Sequence, residues 1–309
     1  MEKTQLDFLA VGDITTDAFI KLSDAWIETD NPEHTSELCM KFAEKIPYKS
    51  VTVVRAVGNA PNAAVSAARL GLHSGLITDI GNDENGAECK AVLEHEQVNT
   101  AYVTTHKDMR TNYHYVLSFG AERTILVKHE EYDYRFPNVE PAPKWLYLSS
   151  LGENAESYHY ELADYLHQHR ETKLAFQPGT FQMKLGAEKL AKLYERCELF
   201  FCNREEAERI LKTHETDIKQ LLKEMSAFGP KITVITDGPM GAYAYDGHSN
   251  EYWSMPMYPD PKPPENRTGA GDAFSSTFTV AIALGLSVRE ALMWGPINSA
   301  YVVQHTGAQ

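Results

Sequence analysis

Four short apolar runs in the middle of the chain restrict its fold more than any other feature: Leu146-Tyr147-Leu148, Leu174-Ala175-Phe176, Leu199-Phe200-Phe201-Cys202 and Ile232-Thr233-Val234-Ile235. Each is too short for a helix and too apolar for a half-exposed segment, so each reads as a strand buried on both faces. Helix-length segments separate them, at roughly 155–170, 186–195 and 204–227. Parallel strands need such crossovers, so the alternation predicts an α/β fold with helices on both faces of a parallel sheet. Gln177-Pro178-Gly179, Asn203 and Thr236 each fall at the end of one of these runs. Strand ends of one sense share one edge of such a sheet, and that edge is where α/β folds bind ligands.

Thr268-Gly269-Ala270-Gly271-Asp272-Ala273-Phe274 leads into a helical pattern with apolar residues at Phe274, Phe278 and Ile282, closed by Gly285. Unpaired N–H groups at a helix start make an anion site, and glycines let the backbone approach the anion closely. An acid in the first turn is placed to take a proton from a hydroxyl that attacks the anion. Read alone, the stretch is equally a tight turn followed by an N-terminal helix acid.

Upstream, Phe8-Leu9-Ala10-Val11 reads as a buried strand, with Asp13 and Asp17 just past its end. Residues 24–36 read as a loop, and Leu38–Phe42 and Ser50–Ala56 as two strands of a hairpin standing off the core. Asn62–Leu70 and Ala87–His95 read as helices flanking a strand at Leu76–Gly81. Strand-like segments at 102–105, 112–117 and 123–127 alternate polar and aromatic residues, which suits a sheet wet on one face. Arg110, Asn112 and Tyr115 are candidates there for contact with a ligand's far end. Asn203 with Glu206, and Ser287 with Glu290, have capping-box spacing. Pro296 predicts a kink or local break in the last helix near Gly295.

With 29 Lys+Arg against 43 Asp+Glu, a net charge of −14, neither nucleic acid nor a membrane surface is an expected partner. The N-terminus has no apolar leader core, no run is long enough for a membrane span, and Cys39, Cys89, Cys197 and Cys202 have no Cys-x-x-Cys spacing. A cytoplasmic enzyme is the expectation. A P-loop, the protein-kinase motifs and a Gly-x-Gly-x-x-Gly after the first strand are all missing from the sequence.

The stretch at 268–272 resembles the signature of the ribokinase family, the PfkB-type carbohydrate kinases, usually written Asp-Thr-x-Gly-Ala-Gly-Asp. Gly58-Asn59-Ala60-Pro61-Asn62-Ala63-Ala64, Gly81–Gly86, Asn203–Glu206 and Thr236–Gly241 match further family motifs in the family's order, so the resemblance spans the chain. It implies a ribokinase-like three-layer α/β/α fold with a mostly parallel central sheet and a small β-sheet lid. The core would comprise 1–13, 57–99 and 129–309, and the lid over the substrate site 14–56 and 100–128.

The implied activity is transfer of the γ-phosphoryl group of ATP to a hydroxymethyl group of a sugar or sugar-like substrate. Asp272 would be the base, and the amides of Gly269, Ala270 and Gly271 the anion hole. Asp13, Asp17, Gly58, Asn59 and Asn62 would hold the substrate; Asn203, Thr236, Gly238, Gly241 and Asn298 would bind ATP. Glu206 would hold Mg²⁺ through water, since magnesium keeps much of its hydration shell. A homodimer through the lid is a further expectation of the resemblance. A nucleoside kinase of the same fold is the alternative, kept open by Tyr113, Tyr115 and Phe119 as a surface for a base. A non-catalytic sugar or nucleotide sensor is another, against which the retained Asp272 and glycines weigh.

One departure carries a prediction. Where the family signature commonly begins with aspartate, this chain has Asn266 followed by Arg267. In relatives activated by potassium, that aspartate helps form a cation site beside the anion hole. Loss of the negative charge, and a guanidinium nearby, both weaken binding of a hard monovalent cation. Turnover is therefore expected to differ little between potassium and a bulky organic cation at matched ionic strength, and activation is expected to emerge in Asn266→Asp. Strong potassium activation of the wild type would overturn this.

Overall fold

A computed structural model describes residues 4–29, 36–120, 122–264 and 267–307. In chain order its strands are β1 (Phe8–Val11), β2 (Thr15–Leu22), β3 (Trp26–Glu28), β4 (Glu37–Cys39), β5 (Tyr48–Val57), β6 (Ser74–Gly81), β7 (Asn99–His106), β8 (Tyr113–Phe119), β9 (Glu122–Leu126), β10 (Trp145–Leu148), β11 (Lys173–Phe176), β12 (Cys197–Asn203), β13 (Ile232–Thr236), β14 (Ala242–Asp246) and β15 (Glu251–Met255). The helices are α1 (Asn59–Arg69), α2 (Glu84–His95), α3 (Glu156–Gln168), α4 (Thr180–Leu185), α5 (Ala191–Arg196), α6 (Arg204–Leu211), α7 (Ile218–Ser226), α8 (Ala270–Ala283) and α9 (Val288–Val302).

The four apolar runs are β10 to β13, and they lie side by side in a large sheet ordered β15-β14-β13-β12-β11-β10-β1-β6-β7. Pairing is parallel from β13 through to β7 and antiparallel only at β14 and β15. Successive side chains alternate between two cores, as a strand's period of two requires. Leu9, Val11, Leu146 and Leu148 enter one, with α3, α5 and α7; Phe8, Ala10 and Tyr147 enter the other, with α1, α8 and α9. This is the ribokinase-like α/β fold, three layers deep, with a smaller sheet beside it.

That smaller sheet has the order β5-β2-β8-β9. Asp17, which the sequence places just past the end of β1, is the third residue of β2. Asp17 and Lys21 interrupt the apolar run, yet the alternation is intact. Asp17 pairs with Val54 and His114 on one face, and Ala18 with Val53 and Tyr115 on the other. The expected hairpin of Leu38–Phe42 with Ser50–Ala56 does not form. β4 is three residues long and pairs with β3, whereas β5 needs a longer partner and finds it in β2.

Residues 102–105, assigned to the lid, belong to β7 at the edge of the large sheet, parallel to β6. An edge strand is half wet, which gave it the pattern expected of a lid. α1 starts three residues earlier than expected, with Pro61 in its first turn, where no N–H is needed. α9 runs through Pro296 without a break. Gly295 leaves room there for the Phe274 ring, 2.7 Å from where a Cβ would sit, so packing against α8 holds the helix together.

Phe278 of α8 is fully buried and its ring meets Phe201 of β12 and Phe274. Phe278→Ala is expected to cost about 3–5 kcal/mol through lost contacts and a residual cavity. Urea denaturation should show an earlier midpoint at an unchanged slope.

Candidate active site

The register of the large sheet sets the site. Val11, Leu148 and Phe176 are in line across β1, β10 and β11, and Asn203 and Thr236 are in line at the ends of β12 and β13. The chain leaving each strand therefore emerges on the same edge, as the sequence led one to expect for Gln177, Asn203 and Thr236.

α8 begins beside this edge. Gly269 is its N-cap, with φ 82°, a left-handed conformation that a side chain would strain. No side chain caps the helix, so its first-turn N–H groups are left to face the cleft in front of it. That cleft encloses about 510 Å³ and is lined by Asn203, Thr236, Gly238, Gly241, Arg267, Ala270, Gly271 and Phe274, among others. Asn203 also caps α6: its Oδ1 accepts from the Glu206 N–H (2.8 Å) and the Glu206 carboxylate accepts from the Asn203 N–H (2.9 Å). Burial pushes the Glu206 carboxyl up, against the Asn203 N–H. Arg204, which sequence reasoning passed over, lines the same cleft and is tied to Asp237 at 3.2 Å. Asn298, expected at the nucleotide, lies between α8 and α9. Its amide donates to Thr277 Oγ1 (2.8 Å), joining α9 to α8, while Ser299 and Ala300 line the cleft. Asn266 lies outside the described residues.

Asp272 is half-buried in the first turn of α8 and accepts from three side-chain amides. Asn59 Nδ2 (3.0 Å) and Gln177 Nε2 (3.1 Å) reach Oδ1, and Asn62 Nδ2 (2.9 Å) reaches Oδ2. Burial pushes its carboxyl up, against the amides of Asn62 and Gln177. Gln177 in turn accepts from the hydroxyl of Tyr147, which is fully buried. Asn59 and Asn62, expected at the substrate, contact the expected base.

Asp13 and Asp17 are both buried but differ in kind. Asp13 is satisfied by the protein: Tyr134 donates to Oδ1 (2.8 Å) and His129 Nδ1 to Oδ2 (3.1 Å). Asp17 Oδ1 has no hydrogen-bond partner, although His114 Nδ1 lies 3.4 Å away. The His114 and His129 rings are 5.3 Å apart, and Phe181 meets His129 edge-on. Neither histidine carried a signal in the sequence, because nothing beside either one in sequence marks it as the neighbour of a buried acid.

Tyr113 and Tyr115 lie on the opposite face of β8 from His114 and line a separate cavity of about 590 Å³ with Arg110. Asn112 is a buried staple: its Nδ2 donates to the Ile14 carbonyl and its Oδ1 accepts from the Glu130 N–H.

Residues 29–309 match the pfkB family carbohydrate kinase profile. The chain belongs to that family. It is a kinase, and the motifs from Gly58 to Asp272 have a common cause. The cytidine kinase of Thermococcus kodakarensis is 26% identical over 81% of this chain and 88% of its own length. The ribokinase of Bacillus subtilis is 28% identical over 82% of each. The solved nucleoside kinase of Methanocaldococcus jannaschii, described as an archaeal member of the ribokinase family, has the same fold. Its TM-score is 0.80 at 18% identity, over 99% of this chain and 95% of that one. Among the described residues of this kinase, no helix is long and apolar enough to cross a membrane.

Gly58, the N-cap of α1, has φ 124°, and a Cβ there would sit 2.6 Å from the Asp13 carbonyl oxygen. A Cβ on Gly271 would meet only Gln177 Nε2, at 3.9 Å. Gly58→Ala is therefore expected to lower the melting temperature by several degrees, as a cost above about 1 kcal/mol would, whereas Gly271→Ala leaves it nearly unchanged. Equal melting temperatures for the two variants would contradict this assignment.

Proposed function

We propose that this kinase transfers the γ-phosphoryl group of ATP to a hydroxymethyl group of a sugar or sugar-like molecule. The observation that carries the reading is Asp272, a carboxylate in the first turn of a helix whose N–H groups no side chain caps. The nucleotide would occupy the cleft between Thr236, Gly238 and α8, with its γ-phosphate at the amides of Gly269, Ala270 and Gly271. Asp17, with its buried unpartnered oxygen, would accept from a hydroxyl of the substrate. As the new O–P bond forms and the bond to the β-phosphate oxygen breaks, the attacking hydroxyl gives its proton to Asp272 and ADP leaves.

Mg²⁺ fits this site only as an ion held mainly by phosphates and water. Among the described residues no group of three or more His, Cys, Asp or Glu could hold a metal, and Glu206 offers a single carboxylate beside the cleft. When bound, the ion would neutralise phosphate charge, with Glu206 holding it through water.

Two observations bear on substrate and partner. The rings of His114, His129 and Phe181 lie on the Asp17 side of the small sheet and offer a nucleoside base an aromatic surface, which Tyr113 and Tyr115 on the other face do not. This keeps the nucleoside reading beside the sugar one. On the outer face, Val51, Val53, Tyr115 and Leu126 are exposed together, and we propose that a second copy of the chain covers them.

An ADP-release assay across ribose, fructose, a keto-deoxy sugar acid and cytidine separates the substrates. With the best acceptor, Asp272→Asn is expected to lower turnover by about a hundredfold or more with ATP affinity little changed. Only ionised Asp272 can take the proton, and its pKa is raised. The acid limb of kcat/KM should therefore lie above the ordinary carboxylate range, with activity lost as pH falls through it. Near-normal turnover of the variant would overturn the reading.

A further inference from the structure

Three amides converge on one carboxylate, and they are not distributed evenly. Asp272 Oδ1 accepts two of them, from Asn59 and Gln177, while Oδ2 accepts the Asn62 amide. A carboxylate oxygen has two lone-pair positions, so Oδ1 is filled by these amides and Oδ2 keeps one position beyond them.

The orientation of Gln177 follows from chemistry. A carboxylate only accepts, so the NH₂ end of the amide must face Asp272, which leaves Oε1 toward Tyr147. The Tyr147 hydroxyl must then donate. It lies on a fully buried residue of β10, its ring against Phe8, and burial together with the Asp272 charge holds its pKa well above the ordinary tyrosine value. Rotating the amide by half a turn would set its oxygen against the carboxylate. The Gln177 backbone is fixed as well, because its N–H donates to the Leu148 carbonyl at 2.9 Å.

We propose that Gln177, oriented by Tyr147, is a positioning residue for phosphoryl transfer: it fills Oδ1 of Asp272 and so directs the substrate's proton to Oδ2. This rests on Asp272 being the base. The substrate hydroxyl then has one oxygen to approach, at a fixed orientation, and the ionised form is stabilised by a charge-assisted hydrogen bond. Glu206 on α6 is the other carboxyl that interacts with Asp272, and it stays in place when Gln177 or Tyr147 is changed.

The test titrates the Asp272 carboxyl by ¹³C NMR in the ligand-free enzyme, with the resonance assigned by its loss in Asp272→Asn. Gln177→Met keeps the length and removes the donor; it should raise the Asp272 pKa by about one pH unit. Tyr147→Phe should raise it by less, since the amide stays but its orientation is freed. In the ADP-release assay with the best of ribose, fructose and cytidine, the acid limb of kcat/KM should move up by the same amount. kcat should fall about tenfold at an unchanged KM for ATP.

A purely structural Gln177 would lower the melting temperature and leave the titration where it was. That outcome in Gln177→Met would overturn the proposal. Should Gln177→Met not fold, Gln177→Asn, whose amide is one methylene too short to reach Oδ1, is read in the same way. The two readings fail separately. Turnover surviving in Asp272→Asn removes the base itself, whereas an unmoved titration in Gln177→Met with Asp272→Asn inactive removes only the role of Gln177.

Discussion

One carboxylate, Asp272, ties together parts of the chain that lie far apart in sequence. Its amide partners come from the first turn of α1 and from the exit of β11, and Asp272 itself opens α8. A partly buried acid without such donors would be driven toward its neutral form. With them it can stay ionised at the start of a helix whose dipole also favours the charge. The meeting of α1, α8 and the rim of the large sheet follows from this requirement as much as from apolar packing.

The apolar packing does its own part of the placement. Because α1 and α8 share one face of the sheet, covered by Ala10, Tyr147 and Phe201, their N-termini arrive together where β1, β10 and β11 end. Small residues make this close: Ala60, Ala63, Ala64 and Ala67 of α1 are fully buried. The cleft proposed for the nucleotide lies beside the start of α8, at the ends of β12 and β13. In the proposed reaction the start of α8 would supply the anion site and Asp272 the base.

Much of this could be read from the sequence. The parallel sheet was legible because β10 to β13 are uniform apolar runs, a pattern that only double-sided burial produces. The rim residues Gln177, Asn203 and Thr236 followed from the strand ends, and α8 from its glycines and Gly285. The small sheet was less legible. β2 carries Asp17 and Lys21 among apolar residues, and β7 looks wet because it is an edge. Side-chain identity says little about which partner a residue takes at a distance. Nothing near Asn59 or Asn62 in sequence indicates that both amides point to residue 272, and nothing around His114 or His129 marks them as neighbours of Asp17 and Asp13. Asn298 shows the opposite case, a polar residue near the cleft whose amide is spent on holding two helices together.

The staple at Asn112 has a mechanical consequence. Four chain segments pass between the large sheet and the small one, and they meet almost at a point. Gly58 lies against the Asp13 carbonyl, Asn112 bonds Ile14 and accepts from Glu130, and the Thr16 N–H donates to the Asn112 carbonyl. Hinges spread along an edge permit one kind of swing; crossings gathered at one spot act as a universal joint. Asp17 sits one residue beyond that joint, on the short arm of the lever, and the ends of β2, β5 and β8 form the long arm. On the function proposed above, a hydroxyl that draws Asp17 by a fraction of an ångström would be coupled to a larger excursion at the tip of the small sheet. Such a joint would set the gearing between that hydroxyl and the sheet.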